Sequence, residues 1–446
     1  MSDKKICVLG AGLSGISHAL HRQSLGEEVT VYENNSEVGG VLQSKRINGF
    51  LLDYGANTLS LRLKKTEEFL KRYNIFENLI DANQESSKRF IIKGGKIIPL
   101  PKSILSFLTS SFLTPAGKLR LCMEPFISKK KEFDKDESMA QFVKRRLGRE
   151  ALDYAANPFI GGVYASRPES LLLRHAFPSL LEMEKHHGSI FFSILRGGIK
   201  REEKLPKTRL VSLKDGMQEL TIRLAAKLKN SILLNRKVKL IQKQSNGLWL
   251  ILSEDSNGNL KDHLFDKVIS TLPSHTLKKI EWKGINKTHL IEDLASAYHP
   301  PLALTFLGFK REQIAHPLDG FGFLVPEVER MKILGTLFSS TLFPNRAPQG
   351  HILLTSFVGG ERSPELSKLP ENELLKLSFV ENQKILGIKG KPSFEHHKIW
   401  PQSIPIPDES TDKRIEAAKL LNQENEGLCI SGAHINGAPL PNCMTF

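Results

Sequence analysis

The N-terminal 33 residues combine a glycine-rich turn with an acid at the end of a second strand, and this limits the fold of that part. A strand is predicted at Lys5–Leu9, followed by Gly10-Ala11-Gly12-Leu13-Ser14-Gly15 and a helix from Ile16. The first two glycines permit a tight turn beside a pyrophosphate, and the third lets helix and strand pack closely. A second strand, Val29–Tyr32, delivers Glu33, whose carboxylate can accept hydrogen bonds from ribose hydroxyls. The segment therefore predicts a Rossmann-like unit that binds a dinucleotide.

A second glycine-rich stretch follows where a simple NAD site would not need one. Gly39 and Gly40 come six residues after Glu33, and Asp53-Tyr54-Gly55-Ala56-Asn57-Thr58 follows shortly afterwards. Two glycine-rich segments, each able to approach a ligand closely, indicate that the ligand is elongated. The alternative is an ordinary glycine-containing loop and hairpin.

Length and charge limit the classes of protein that fit. A chain of 446 residues suggests two or three domains. The 63 Lys and Arg residues exceed the 48 Asp and Glu residues, which gives a net charge of +15. Such a surface favours an anionic partner: acidic lipid, nucleic acid or a polycarboxylate substrate. Because zinc-ligand spacing and RNA-binding signatures are absent from the sequence, we expect no nucleic-acid partner.

Cysteine usage and hydropathy predict the compartment. The four cysteines are scattered, without a Cys-x-x-Cys pair, which is typical of a reducing environment. The first strand begins at Lys5, which leaves no room for a signal peptide, and no apolar run approaches the length of a membrane span. We expect a cytoplasmic protein, soluble or peripheral on the inner face of the cell membrane.

The segment from Pro101 to Lys131 differs from its surroundings because it mixes apolar helical turns with lysines. Such turns suit a membrane interface, and equally a helical subdomain docked on the core. Before it, a helix is predicted at Lys64–Tyr73 and a strand pair at 89–92 and 96–99. After it, a helix is predicted at Ser138–Leu152.

The second half of the chain is predicted to return to the nucleotide-binding unit. We expect a break at Asn157-Pro158, a basic loop at 196–209 and a helix that ends near Leu228. Further strands are expected at 231–241, 248–253, 264–271, 302–309, 321–325, 334–338, 352–357 and 428–431. Late strands of this kind commonly rejoin the first sheet, which would make the nucleotide-binding domain discontinuous.

Side-chain chemistry is sparse in the sequence. His186-His187 and His396-His397 are adjacent pairs and lack the helical spacing of metal ligands, so surface histidines and no metal are expected. Nucleophile motifs for serine or cysteine catalysis are also absent from the sequence. The chemistry is therefore expected to come from a cofactor.

Three blocks of sequence indicate a family. Asn157–Ala165, Gly320–Pro326 and Leu334–Gly360 resemble the oxygen-dependent, FAD-containing protoporphyrinogen oxidases, within the amine-oxidase-like flavoproteins. The resemblance runs from residue 6 to the end. It implies oxidation of protoporphyrinogen IX to protoporphyrin IX by three hydride transfers to FAD, with dioxygen as acceptor and hydrogen peroxide as product. No catalytic side chain is expected, because flavin N5 accepts the hydride.

The resemblance also implies a set of site residues. The FAD contacts are Gly10, Ala11, Gly12, Leu13, Ser14, Gly15, Glu33, Asn34, Val41, Gly55, Ala56, Asn57, Thr58, Val238, Ala433, Ala438, Pro439 and Leu440. The substrate contacts are Arg89, Gly162, Phe321, Gly322, Leu324, Leu337, Phe338 and Phe357. Arg89 would pair with a propionate, and the apolar residues would line a pocket for the macrocycle.

The sequence departs from the family pattern in two places. Ile404-Pro405-Ile406-Pro407-Asp408 stands where relatives carry an Ile-Pro-Gln-Tyr-type segment, which is expected to alter a wall near the flavin. Asn442-Cys443 is followed only by Met444-Thr445-Phe446, whereas relatives continue into a helix. On this basis a positive helix end near the flavin is expected to be missing.

The sequence as a whole predicts an α/β flavoprotein in three parts. They are a discontinuous Rossmann-like FAD domain (1–85, 208–275, 395–446), a mixed-sheet substrate domain (86–100, 160–207, 276–394) and a helical, membrane-facing insertion (101–159). The expected partners are a porphyrinogen, dioxygen and acidic lipid, and a homodimer is left open. The rival hypotheses are coproporphyrinogen III as substrate, a flavin-binding protein without oxidase activity, and another amine-oxidase-like desaturase.

Overall fold

A five-stranded parallel sheet forms the first part of the molecule. The computed structural model describes residues 4–132, 136–197, 204–229 and 231–445, the side chains of 204–206 excepted. The sheet has the strand order Ile232–Leu233, Glu28–Tyr32, Lys5–Leu9, Lys267–Ser270, Leu428–Ile430. Its strands come from three distant stretches of the chain, as the prediction of a discontinuous domain requires.

Both faces of this sheet are buried, which explains its apolar strands. Ile6 and Val8 face the helices Leu13–Ser24 and Gln218–Ala225. Cys7 and Leu9 face the opposite core, which includes the helices Leu290–Leu294 and Thr411–Glu424.

A four-stranded sheet covers the second face, with the order Leu260–Phe265, Trp249–Glu254, Lys237–Lys243, Glu281–Lys283. Two of the predicted strands were wrong in extent. The strand expected at 231–241 divides near Asn235, whose φ of 53° turns the chain into the second sheet. The strand expected at 264–271 is two strands, and they belong to different sheets.

The second part of the molecule is a seven-stranded mixed sheet. Its order is Phe394–Trp400, Leu302–Lys310, His351–Gly359, Ile333–Phe338, Gly320–Leu324, Lys88–Lys93, Lys96–Pro99. The helix Glu371–Leu386 covers its back face, where Ser378 bonds to Thr305 and Asn382 bonds to Ser356. The central strands agree with the sequence, whereas Phe394–Trp400 falls largely in the stretch assigned to the FAD domain.

Shorter elements connect the two sheets. Ser44–Ile47 and Phe50–Asp53 form a hairpin, and Leu59–Leu63, Lys204–Leu213 and Leu79–Asp81 form a three-stranded sheet. The loop expected at 196–209 is therefore wrong for 204–209, which are β-structure, and 198–203 lie outside the described residues. Its basic side chain Arg209 forms an ion pair with Asp81 at 2.8 Å.

The third part is helical and larger than the sequence indicated. Its helices are Ile104–Thr109, Pro115–Cys122, Met139–Arg146, Arg149–Ala151, Asn157–Tyr164, Leu173–Ala176, Pro178–His187 and Ile190–Leu195. One core joins Met139, Ile160 and Leu173, so the helical part continues beyond the boundary drawn at 159.

Two details of this helical part differ from the prediction. The helix expected at Ser138–Leu152 is interrupted at Gly148, where φ is 96°. The break expected at Asn157-Pro158 is absent, because a π-helical turn, Leu152–Ala156, leads straight into the next helix. Proline is tolerated there because it lies in the first turn of that helix.

The remaining helices are Lys64–Arg72, Ser274–Leu277, Ser339–Leu342, Ala433–Asn436 and Leu440–Met444. Short 3₁₀ turns occur at Phe76–Asn78, Gln84–Ser87, Glu124–Phe126, Arg311–Gln313, Glu327–Glu329 and Pro364–Lys368. Within the described ranges, no helix has both the length and the apolar character needed to span a bilayer.

Candidate active site

The first glycine loop crosses the end of the Lys5–Leu9 strand and leads into the helix that starts at Leu13. Gly10 has φ of 98°, and its N–H donates to the carbonyl of Tyr32 at 2.8 Å. A Cβ on Gly15 would lie 1.8 Å from the carbonyl oxygen of Gly10, so helix and strand touch at this point. The first amides of the helix have no partner within it, which suits an anionic phosphate.

Glu33 lies buried at the end of the neighbouring strand and fixes both loops that surround it. Its carboxylate accepts hydrogen bonds from the backbone N–H of Ala11 at 2.8 Å and of Asn35 at 2.9 Å. The N–H of Arg236 donates to the carbonyl oxygen of Glu33 at 2.8 Å, which places the strand carrying Val238 beside this acid. Glu33, the exposed Asn34 and Val238 thus lie at one end of the predicted FAD site.

The second glycine segment packs directly on the first. The N–H of Gly39 donates to the carbonyl of Ala11 at 2.9 Å, and a Cβ on Gly40 would lie 3.1 Å from the Cα of Gly12. Gly55 packs against the carbonyl oxygen of Val41, which a Cβ would approach to 2.0 Å. The two glycine segments therefore form one continuous groove.

A bulge in the seven-stranded sheet brings two predicted substrate residues together. The register between Gly320–Leu324 and Lys88–Lys93 shifts between Gly320 and Phe323, and Gly322 adopts φ of 139°. The Phe321 ring consequently lies under the Arg89 guanidinium, 4.0 Å from it. Arg89 also donates from Nη1 to the carbonyl of Ser86 at 2.8 Å, and burial lowers its pKa.

The front face of this sheet carries an apolar floor. Leu324 lies opposite Gly335, Gly335 opposite Phe357, and Leu337 two residues further along its strand. Side chains opposite one another in antiparallel strands share a face. Leu324, Leu337 and Phe357 are only partly buried, although they lie in the middle of the sheet. The face is therefore partly open at these three residues, and this region is called the cleft.

The walls of the cleft come from both neighbouring parts of the molecule. Gly162, on the Asn157–Tyr164 helix, packs on Leu324, and a Cβ there would meet Cδ2 of Leu324 at 2.5 Å. Phe159 and Val163 on the same helix are exposed, and so is Val41 beside the second glycine segment.

Comparison with known proteins decides the family to which this site belongs. The description "Flavin containing amine oxidoreductase" fits residues 13–439 of the sequence. The chain belongs to this family. It is therefore an oxidoreductase whose cofactor is FAD, as the sequence predicted.

The relatives within the family agree with the resemblance inferred from sequence. Protoporphyrinogen oxidase 2, chloroplastic/mitochondrial, of Arabidopsis thaliana is 33% identical, over 98% of this chain and 91% of the relative. Coproporphyrinogen III oxidase of Staphylococcus aureus is 25% identical, over 99% and 97%. A solved structure from Exiguobacterium has the same fold, with a TM-score of 0.82 and 20% identity over 100% of this chain and 97% of that one.

The residues at the two ends of this groove suit the two ends of an FAD molecule. At the phosphate end, the first helix amides have no partner within the helix. A Cβ on Gly12 would meet no protein atom nearer than 3.8 Å, which leaves room for a ligand beside this glycine. The other end has the exposed Val41, with Gly55, Ala56, Asn57 and Thr58 beside it. FAD bound here would supply a hydride acceptor at its isoalloxazine ring.

The C-terminal segment corrects one sequence-based expectation. Leu440–Met444 forms a short helix that packs on the Leu13–Ser24 helix, so a helix start does exist after Ala438 and Pro439. Ala56 joins the same core as Leu440, which brings the late flavin contacts beside the early ones. Ala433 begins the preceding helix, after Gly432 with φ of 117°.

Two predicted substrate residues serve a different purpose from the one expected. Phe338 lies on the back face of the sheet, fully buried against Phe90 and Phe323, because it is adjacent to Leu337 and alternation points it away from the cleft. Gly322 packs against the backbone of Thr336 at the bulge, so it shapes the strand rather than lining the cleft.

Two other expectations change in detail. His396 is not a surface histidine: it is half-buried, its Nε2 lies 2.8 Å from the Tyr54 hydroxyl, and burial lowers its pKa. The segment 404–408 was expected to alter a wall near the flavin, but Ile406 in this segment is buried in the helical core. Among the described residues, no three His, Cys, Asp or Glu side chains cluster as metal ligands would.

A buried polar cluster, not predicted from the sequence, holds the flavin end of the groove. Asp53 is buried, accepts from Ser44 Oγ at 2.6 Å and from the N–H of Met217 at 2.8 Å, and lies 3.4 Å from Nε of Arg346. Burial raises the pKa of Asp53, although these three partners lower it. Gln218 adds further bonds to the Val38 carbonyl and to the N–H of Ser44. The position of Asp53 directly before Tyr54-Gly55 was the only sequence signal.

Proposed function

We propose that this flavoenzyme oxidises protoporphyrinogen IX to protoporphyrin IX in haem biosynthesis, with dioxygen as acceptor and hydrogen peroxide as product. One structural observation carries the proposal: a partly exposed apolar floor, formed by Leu324, Leu337 and Phe357, extends from Arg89 towards the predicted flavin contacts at Val41 and Gly55. The names of relatives that match the chain over its full length support the same substrate class.

The residues of the cleft suit each part of this substrate. The apolar floor accommodates the tetrapyrrole and excludes water from the reacting carbon. Arg89 retains Nε and Nη2 for a carboxylate, because its described hydrogen bonds both come from Nη1. Three rounds each remove a hydride from a meso carbon; of the three protons that also leave, two come from pyrrole nitrogens and one from the fourth meso carbon, which completes the six-electron oxidation.

The direct test is to incubate the FAD-loaded protein with protoporphyrinogen IX under air and to follow porphyrin fluorescence and peroxide. We expect a rate well above autoxidation. Arg89→Met should raise KM by about tenfold or more, because a charge-assisted hydrogen bond contributes roughly 1.5–3 kcal/mol.

Lys88→Met is the matched control for Arg89. Lys88 precedes Arg89, is exposed and forms an ion pair with Asp319, away from the cleft. It should leave KM unchanged. Turnover no faster than autoxidation would contradict the proposed function, and equal effects of the two variants would contradict the role of Arg89.

A second candidate substrate is coproporphyrinogen III, a porphyrinogen with four carboxylates instead of two. The net charge of +15 favours a more anionic substrate, and two bacterial relatives carry the name coproporphyrinogen III oxidase. The ratio of kcat/KM for the two porphyrinogens distinguishes the candidates.

We also propose that the helical part makes a peripheral contact with acidic lipid. Ile104 is 81% exposed, Leu105 72% and Phe126 82%, and Lys129, Lys130 and Lys131 follow shortly afterwards. Exposed apolar side chains of this kind insert into a membrane interface, and the lysines beside them pair with anionic headgroups.

The expected result is that the protein sediments with vesicles of phosphatidylcholine and phosphatidylserine, and less so at high salt. Replacing Ile104 and Leu105 with serine should weaken sedimentation severalfold. Leu260→Ser, which changes a leucine that is 58% exposed in the four-stranded sheet, should not. Binding that does not depend on Ile104 and Leu105 would contradict the proposed surface.

A further inference from the structure

Lys398 is a cation on the front face of the seven-stranded sheet that has no acidic partner among the described residues. It lies opposite Leu304, which lies opposite Phe357, which in turn lies opposite Gly335. One cross-strand row therefore joins Lys398 to the apolar floor of the cleft. Directly opposed side chains in antiparallel strands share a face, so Lys398 projects on the same side as Phe357.

Two aromatic rings hold the Lys398 ammonium beside the flavin loop. Its Nζ lies 4.9 Å from the centre of the Trp400 ring and 5.4 Å from that of Tyr54. Trp400 Nε1 donates to the carbonyl of Tyr54 at 2.7 Å, and Tyr54 immediately precedes the flavin contact Gly55. The side chain is therefore fixed at the flavin end of the cleft, where it is only partly buried.

Arg89 and Lys398 lie at opposite ends of the same floor. Five strand spacings separate their strands, which places the two backbones about 24 Å apart in an untwisted sheet. The Arg89 guanidinium extends inward over Phe321, and Leu324, Leu337 and Phe357 lie between the two ends. The front face thus carries a cation near each edge and apolar side chains between them, of which Leu304, next to Lys398, is buried.

We infer that Lys398 is a second carboxylate-binding subsite, so that the cleft takes a porphyrinogen with carboxylates on opposite edges. This inference rests on the proposed porphyrinogen oxidation, and within it favours the second candidate substrate, coproporphyrinogen III, over protoporphyrinogen IX. Protoporphyrinogen IX carries its two propionates on neighbouring pyrroles, and when Arg89 binds that edge only methyl and vinyl groups face the flavin. Coproporphyrinogen III carries a propionate on every pyrrole and offers a carboxylate to both cations.

The test compares wild type, Lys398→Met and Lys398→Arg, all loaded with FAD, on both porphyrinogens. We expect Lys398→Met to raise KM for coproporphyrinogen III about tenfold and to change KM for protoporphyrinogen IX less than about twofold. Lys398→Arg should restore the wild-type KM, because arginine also pairs with a carboxylate.

Equilibrium binding gives a measurement that does not depend on turnover. Titration of the FAD-loaded proteins with coproporphyrin III and protoporphyrin IX should show that Lys398→Met loses affinity for the tetracarboxylate alone. Equal losses for both ligands, or none for either, would overturn the subsite. If the wild type oxidises neither porphyrinogen, the proposed function fails, and the binding titration still decides whether Lys398 recognises a carboxylate.

Discussion

Replacing Gly15 with alanine should give a protein that is purified with little or no FAD. A Cβ at this position would lie 1.8 Å from the Gly10 carbonyl oxygen and 2.9 Å from Thr271 Oγ1, so the helix must move away from the strand. Overpacking of this kind costs up to about 3 kcal/mol, and because the same contact positions the pyrophosphate amides, FAD affinity should fall about a hundredfold. Visible flavin absorbance and titration of the apoprotein with FAD measure the loss.

Variants of two other glycines distinguish a loss of FAD contact from a loss of stability. Gly12→Ala meets no protein atom closer than 3.8 Å, so it should leave the apoprotein stable and still weaken FAD binding, since the carbon occupies ligand space. Gly26→Ala lies in an exposed turn with no neighbour within 4 Å, and its φ of 81° should cost about 1 kcal/mol or less without affecting FAD. A Gly12→Ala protein with unchanged FAD affinity would show that the pyrophosphate does not approach this loop.

Replacing Arg346 with methionine should lower the free energy of unfolding by about 3–5 kcal/mol, because it leaves the buried Asp53 carboxylate without its cation. The side chains of Asp53 and Arg346 are 3% and 2% exposed, and Arg346 also donates to Ser212 Oγ at 2.7 Å. Urea unfolding of apoprotein and holoprotein measures the change. The double variant Asp53→Asn with Arg346→Met should recover part of it, since no charge then remains buried.

An exposed ion pair and a pH series test whether the buried charge of Asp53 causes the loss of stability in Arg346→Met. Arg46→Met breaks the 3.3 Å pair with Asp215, whose side chain is 65% exposed, and should change stability by less than about 1 kcal/mol. Burial raises the pKa of Asp53, and loss of Arg346 raises it further. A carboxyl group whose pKa is higher in the folded than in the unfolded protein stabilises the fold below its unfolded pKa, which is near 4. This stabilisation is lost as the pH rises through the folded pKa. The loss of stability caused by Arg346→Met should therefore grow from pH 5 to pH 8. A deficit independent of pH would point to lost packing instead.

Much of the fold could be predicted from the sequence because local patterns carried it. The strands Lys5–Leu9 and Lys96–Pro99 follow from apolar runs bounded by glycine or proline, and the structure has them as expected. The errors occurred where one residue changes the direction of the chain. Gly148 ends a helix and Asn235 divides a strand, both through positive φ, while Pro158 continues a helix that a proline was expected to break.

The face to which a strand residue points was harder to predict. Leu337 and Phe338 are adjacent and apolar, and the resemblance placed both in the cleft, but alternation puts only Leu337 there. Phe321 reaches the cleft only because the bulge at Gly322 rotates it onto Arg89. Neither result follows from composition or periodicity, since bulges and register depend on the neighbouring strands.

Local backbone geometry encodes the dinucleotide-binding unit, since glycines 10, 12 and 15 and Glu33 act within a short stretch of the sequence; the FAD assignment followed from the family resemblance. The way in which distant segments complete the site depends on the tertiary fold. Asp53 and Arg346 are separated by about 300 residues, and so are Arg89 and Lys398. The relative position of such residues depends on which strands lie side by side. The long-range register of these strands is not encoded in the pattern of either segment alone.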